Sequence, residues 1–114
     1  MTEKQKQEAN VLFAEKVMGW EIVHIGKPPV IWAVREGERS DQPIDFWTDL
    51  NDAERLARKL GINHVYDSTS TNGTPCKAWV VDDKGKTILW KEADNLCTAI
   101  CEASWAFLRE KETT

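Results

Sequence analysis

The stretch "DFWTDLNDAERLARKLG", Asp45 to Gly61, contains the clearest helix of the chain, and the other elements can be placed around it. Asp49 is a good N-cap, because its carboxylate can accept from the free backbone N–H groups of the first turn. Asp52 then lies near the positive end of the helix dipole. The predicted buried stripe consists of Leu50, Ala53, Leu56, Ala57 and Leu60. Gly61 ends the helix, so the pattern predicts an amphipathic helix that docks on a core.

Two further helices are predicted at the ends of the chain. The first runs from about Glu3 to Met18, polar all round in its first half and apolar on one face in its second half. Gly19 supplies its C-terminal stop. The last runs from about Asp94 to Lys111 and is the most apolar of the three. Its two neighbouring apolar rows make a stripe wide enough to lie flat on a sheet.

Strands are predicted between the helices. "WEIVHI" (Trp20 to Ile25) and "VIWAVRE" (Val30 to Glu36) are separated by the breaker "GKPP" and followed by a surface loop, "GERSDQPID". "INHVY" is a possible short strand, and "DSTSTNGTP" is a polar loop. "CKAWVVDDKGKTILWKEA" is typical of a hairpin in which Gly85 occupies the left-handed position of the turn. Both sides of the second strand are apolar, which favours a sheet covered on both faces.

The element order is therefore α, two strands, α, two or three strands, α. It predicts an α/β protein of the α+β kind, with a small, mostly antiparallel sheet and helices on both faces. At 114 residues the chain is expected to be a single domain over residues 1–114.

Composition narrows the possible functions. The formal net charge is −4 and basic residues are interleaved with acids, which argues against a nucleic-acid partner. The N-terminal "MTEKQKQEAN" lacks the apolar region of a signal peptide, and no apolar run approaches the ~20 residues of a membrane span. The three cysteines do not have the spacing of a disulfide framework, which indicates a reducing compartment. We therefore expect a cytoplasmic protein with no membrane partner.

Three segments together resemble the phage ABA-sandwich domain family of small phage and prophage proteins, to which NinX-like proteins are also similar. They are "LFAEKVMGW" (Leu12 to Trp20), Asp45 to Gly61, and "ADNLCTAICEASWAFL" (Ala93 to Leu108). The resemblance spans nearly the whole chain and implies an α/β/α sandwich of phage or prophage origin. It brings no settled activity and no catalytic residues. The long "DSTSTNG" loop departs from the family pattern.

Catalytic and metal-binding patterns are weak. Cys97 and Cys101 lie four residues apart on one helical face, and zinc would need further ligands from Cys76, His24 or His64. No Cys-x-x-Cys knuckle is present, so the thiols are expected to be core residues. A Cys76–His64 pair, or a serine of "STST" with a histidine, lacks a third orienting group. We therefore expect no catalytic residues, no metal and no cofactor.

Other candidates are also explained by packing. Acid–base roles for Asp45, Asp49 and Asp52 are weakened because Asp49 already has a capping role worth about 1 kcal/mol. The glycine of "STNGTP" leads into a strand rather than a helix, so a phosphate cradle is weakly indicated.

The six tryptophans are the remaining feature. Trp32, Trp79 and Trp90 fall on predicted strands, and most tryptophans are expected in the core. Trp47 precedes its helix and Trp105 lies off the main stripe of the last helix, so partial exposure with an interface role is an alternative for both. For Trp47, docking as a hydrophobic staple is favoured over recognition.

The sequence thus predicts a non-enzymatic phage accessory protein that binds a host or phage protein, with Trp47, Asp49 and Trp105 as candidate interface residues. A small-molecule binder that stacks a nucleotide on tryptophan is the alternative. A homodimer is also possible.

Overall fold

A computed structural model of the chain describes residues 2–26, 30–35, 38–40, 42–69 and 73–113. Residues 27–29 of the predicted "GKPP" break, residue 36 of the second predicted strand and residues 70–72 of the "STSTNG" loop lie outside these ranges. Within them, the α+β class and the antiparallel pairing are confirmed. No helix in the described ranges is long and apolar enough to cross a membrane.

The helices lie close to their predicted positions. Their bounds are α1, Glu3–Leu12, continued by one π-helical turn, Phe13–Val17; α2, Leu50–Leu60; and α3, Leu96–Thr113. Asp49 caps α2 by accepting from the N–H groups of Asn51 and Asp52, and Gly61 ends it at φ 74°. These interactions join residues close in the chain, which is why the sequence predicts them well.

The strands form two antiparallel sheets. The first contains β1 (Glu21–Ile25), β2 (Val30–Arg35) and β3 (Glu38–Arg39) in the order β1-β2-β3. The second contains β4 (Asn63–Tyr66), β5 (Cys76–Val81) and β6 (Thr87–Ala93) in the order β4-β5-β6. Three strands therefore follow α2. The short β3 replaces part of the predicted surface loop, because its residues pair with the end of β2.

Two buried clusters hold the layers together. One joins α2 and α3 to the second sheet, and the other joins α1, α2 and α3 to the first sheet. Helix α2 turns Ala53 and Ala57 to one cluster and Leu56 to the other. Helix α3 likewise contributes Ala103 to the cluster beside the second sheet and Cys101 to the cluster beside the first sheet. Both helices therefore run between the clusters, which differs from the expected single sheet with helices on both faces.

Two positions of α2 differ from the predicted stripe. Leu50, a member of the stripe, is 43% exposed. Asp52, which lies outside the stripe, is buried and accepts a hydrogen bond from Arg55 at 3.2 Å. The Arg55 guanidinium compensates for burial of the Asp52 carboxylate. The buried face of α2 is therefore rotated slightly from the predicted apolar stripe.

Candidate functional site

A hydrogen-bonded junction joins α1 to the segment that precedes α2. Asn10 of α1 is buried, and its Oδ1 accepts from the backbone N–H of Phe46 at 3.1 Å. Its Nδ2 donates to Oδ1 of Asp45 at 3.2 Å. Asp45 also accepts from the N–H of Trp47 and from the hydroxyl of Thr48. The segment is thus held at a fixed distance from α1.

Beside this junction lies a groove of about 630 Å³, which we call the α1 groove. It is bordered by α1, by the first sheet, by residues 43–48 and by the start of α3. Its apolar lining includes Val11, Val30, Ile31, Pro43 and Ile44. Its polar lining includes Lys6, His24, Asp45, Asn95 and Thr98. A concave, mainly apolar site of this size is suited to a small ligand or a few side chains of a protein partner.

Trp47 lies at the wall of the α1 groove and is only 6% exposed. Its indole N–H donates to the backbone oxygen of Lys6 at 3.1 Å, and the Lys6 ammonium lies 5.5 Å from the ring centroid. Of the two alternatives for Trp47, the ring is therefore buried rather than partly exposed, because α1 covers it. Docking is its observed role, against α1 as well as within the cluster that contains Leu56 of α2.

Asp49 and Trp105, the other predicted interface residues, lie away from the α1 groove lining. Asp49 is half-buried, and its carboxylate is engaged as the α2 cap. Trp105 is half-buried on α3, packs against the cluster beside the first sheet, and has the Arg109 guanidinium 5.3 Å from its ring centroid. Trp105 is thus partly exposed, and interface roles for both residues remain predictions.

The most exposed tryptophan is one that the sequence placed in the core. Trp90 of β6 is 47% exposed and stacks on Trp79 of β5, with ring centroids 5.6 Å apart. The small residues Cys76 and Ala78 turn toward the helices instead. Small residues at alternate positions of β5 could have identified the helix-facing side from the sequence, because a helix packs most closely on the face of a sheet that carries small side chains.

The three thiols are divided between the two buried clusters. Cys76 and Cys97 belong to the cluster beside the second sheet, whereas Cys101 belongs to the other and donates to the backbone oxygen of Phe46. Burial raises the pKa of all three thiols, most strongly that of Cys101. Within the described ranges, no three histidine, cysteine or acidic side chains form a group suited to a metal ion.

Comparison with solved structures finds a phage protein from Bacillus cereus ATCC 14579 with a similar fold. The TM-score is 0.60 at 17% sequence identity, and the match covers 96% of this chain and 92% of the other. No family model matches the chain, and no curated protein matches it. At this identity the likeness establishes a shared fold.

Proposed function

We propose that this chain is a phage or prophage accessory protein, related to the ABA-sandwich proteins, that binds a segment of a host or phage protein in the bacterial cytoplasm. The fold shared with the Bacillus cereus phage protein supports the phage origin. The three segments that resemble the ABA-sandwich family support the finer relationship.

The observation that carries the binding role is the α1 groove. Its volume of about 630 Å³ lies within the range of sites that enclose apolar groups. The hydrogen bonds that link Asn10 to Asp45 and Phe46 hold its wall in place before any partner arrives. A partner therefore gains apolar contact without the entropy cost of ordering this wall.

A protein segment suits the groove better than a nucleotide. A base binds by stacking on an open aromatic face, whereas Trp47 is 6% exposed and has the Lys6 ammonium over its ring. The more accessible apolar side chains of the lining, such as Val11 and Val30, offer contact to aliphatic groups instead. Nucleotide binding thus remains the alternative to be tested.

Two features support a non-enzymatic role. Both carboxylate oxygens of Asp45 already accept hydrogen bonds from the fold, which lowers their capacity to act on a ligand. The raised pKa of each thiol keeps it protonated near neutral pH, and a protonated thiol is a poor nucleophile.

The test uses a matched pair of surface variants. Val30 is 42% exposed and lines the groove, whereas Leu50 is 43% exposed on α2 and does not. Val30→Glu places a charge in the apolar lining, and Leu50→Glu places the same charge elsewhere. Both variants should keep the wild-type unfolding midpoint within a few degrees, because surface substitutions usually have small effects.

Tagged wild-type and variant chains are expressed in bacteria carrying the phage, and captured proteins are quantified by mass spectrometry. A partner that is retained with Leu50→Glu and reduced at least about tenfold with Val30→Glu supports the proposal; tenfold corresponds to about 1.4 kcal/mol. Equal capture by both variants, or no protein above background, contradicts it. Saturable tryptophan quenching by a nucleotide would instead favour the alternative.

A further inference from the structure

The outer face of the second sheet is an exposed apolar surface, separate from the α1 groove. It is formed by alternate residues of β4, β5 and β6, which point away from the helices, and we call it the Trp90 face. Its large apolar members are Val65, Trp79, Val81, Ile88 and Trp90. Four of these five side chains are between 38% and 49% exposed. Contiguous apolar exposure of this kind marks an interaction surface.

The aromatic centre of this face is rigid. The Trp90 ring stacks on Trp79 at 5.6 Å, and its indole N–H donates to Oε1 of Glu92 at 3.2 Å. The Lys77 ammonium lies 5.8 Å from the centroid of the Trp90 ring. Because these contacts already restrict the side chain, a partner that binds Trp90 loses little further rotamer entropy.

The charges of the Trp90 face indicate what kind of partner fits. Lys77 and Glu92 are directly opposite one another on β5 and β6, one row beyond the Trp79–Trp90 pair. Asp67 lies 3.6 Å from the Lys77 ammonium, and hydrogen bonds from Thr69 lower the pKa of its carboxyl. Because this row carries both positive and negative charges, a partner with a uniformly basic or uniformly acidic surface would be repelled by some of them and attracted by others.

We propose that the Trp90 face binds a second copy of this chain, face to face. A two-fold axis parallel to the strands, between β5 and β6, sets Trp79 of one copy over Trp90 of the other. The same axis sets Lys77 of each copy over Glu92 of the other, so the oppositely charged pair forms twice. An isologous interface requires this kind of self-complementary pattern.

The sheet edge favours this arrangement over growth of the sheet. Strand β6 is an edge strand of its sheet, and Lys91 lies on its helix-facing side between Leu89 and Ala93. An inward-pointing charge on an edge strand opposes the addition of another strand. Association through the face therefore leaves the edge hydrated.

The size of the face predicts weak association. Three strands about 4.8 Å apart and about 20 Å long cover roughly 300 Å² in projection, and roughly twice that as accessible surface. This is below the ~800 Å² that each partner contributes to a standard interface. We therefore expect a weak, reversible dimer, whose association is tested up to a chain concentration of 1 mM.

Charge reversal and restoration test the pairing. Lys77→Glu and Glu92→Lys each place like charges opposite one another across the axis, and the double variant restores opposite charges. Lys59→Glu and Glu15→Lys, at exposed positions outside the face, change the net charge by the same amounts. Dissociation constants are measured by sedimentation equilibrium, and urea unfolding checks that each monomer folds.

Each single reversal should weaken association at least about tenfold relative to its net-charge control, and the double variant should return to within about threefold of wild type. Trp90→Ala should abolish the dimer. A wild-type chain that remains monomeric at 1 mM overturns the proposal, even if the face captures another protein. Single reversals that behave like their controls also overturn it. Neither result bears on the α1 groove, which shares no lining residue with this face.

Discussion

Asn10→Ala tests the junction that shapes the α1 groove. The substitution removes the acceptor of the Phe46 N–H, which then stays buried without its partner at 3.1 Å. An unsatisfied buried donor costs about 1–3 kcal/mol, and loss of the hydrogen bond to Asp45 costs about 0.5–1.5 kcal/mol. The higher helix propensity of alanine recovers several tenths of a kcal/mol. We expect the free energy of unfolding to fall by about 2–3 kcal/mol.

The assay is urea unfolding followed by tryptophan fluorescence and circular dichroism, with a thermal scan that should show a decrease of roughly 10 °C. Asn51→Ala is the control, because Asn51 lies exposed on the first turn of α2 and contributes its backbone N–H to the cap. It should change the free energy by less than about 0.5 kcal/mol. If Asn10→Ala destabilises by under 1 kcal/mol, or no more than the control, Asn10 does not hold the junction.

Three other outcomes are expected. Asp49→Ala should lower the free energy of unfolding by about 1 kcal/mol in urea unfolding, and Asp49→Ser should lose much less, because serine also caps; equal losses would contradict a capping role. Trp47→Phe keeps most of the packing but removes the hydrogen bond to Lys6, so a loss of about 1 kcal/mol is expected, and no loss would show that the bond contributes nothing. Burial raises the pKa of the Cys101 thiol, so the buried neutral thiol contributes its full stability below the ordinary thiol pKa of about 9, and this contribution is lost progressively as the pH rises above it. The free energy of unfolding of the wild-type chain should therefore fall more steeply than that of Cys101→Ala between pH 9 and 10.5. Parallel curves would contradict this.

The features that the sequence predicted best depend on near neighbours. Asp49 caps α2 through N–H groups two and three residues away. Gly61 and Gly85 take the positive φ values that a helix end and a hairpin turn require. The predicted hairpin is also confirmed as β5 and β6, and alternation along β5 places Cys76 and Ala78 on one face of the sheet.

The features that the sequence missed depend on distant partners. Asn10 belongs to the half of the first helix that the sequence indicated as polar all round, yet it is buried. Its amide is satisfied by a segment 35 and 36 residues away, which the sequence did not make evident. Trp90 belongs to an apolar strand, yet it is exposed because the helices cover the other face of the sheet.

The sequence by itself determined the helices, their ends, the hairpin and the α+β class, because caps, turns and hydrophobic periodicity act within a few residues. Only the tertiary structure decided that the strands divide into two sheets and that Trp47 is covered while Trp90 faces solvent. The physical reason is that hydrophobic stabilisation depends on the apolar area that is removed from water and not on how far apart the contacting residues are in sequence. An apolar residue is buried wherever another layer of secondary structure packs on it, and this packing is set by contacts between residues far apart in sequence.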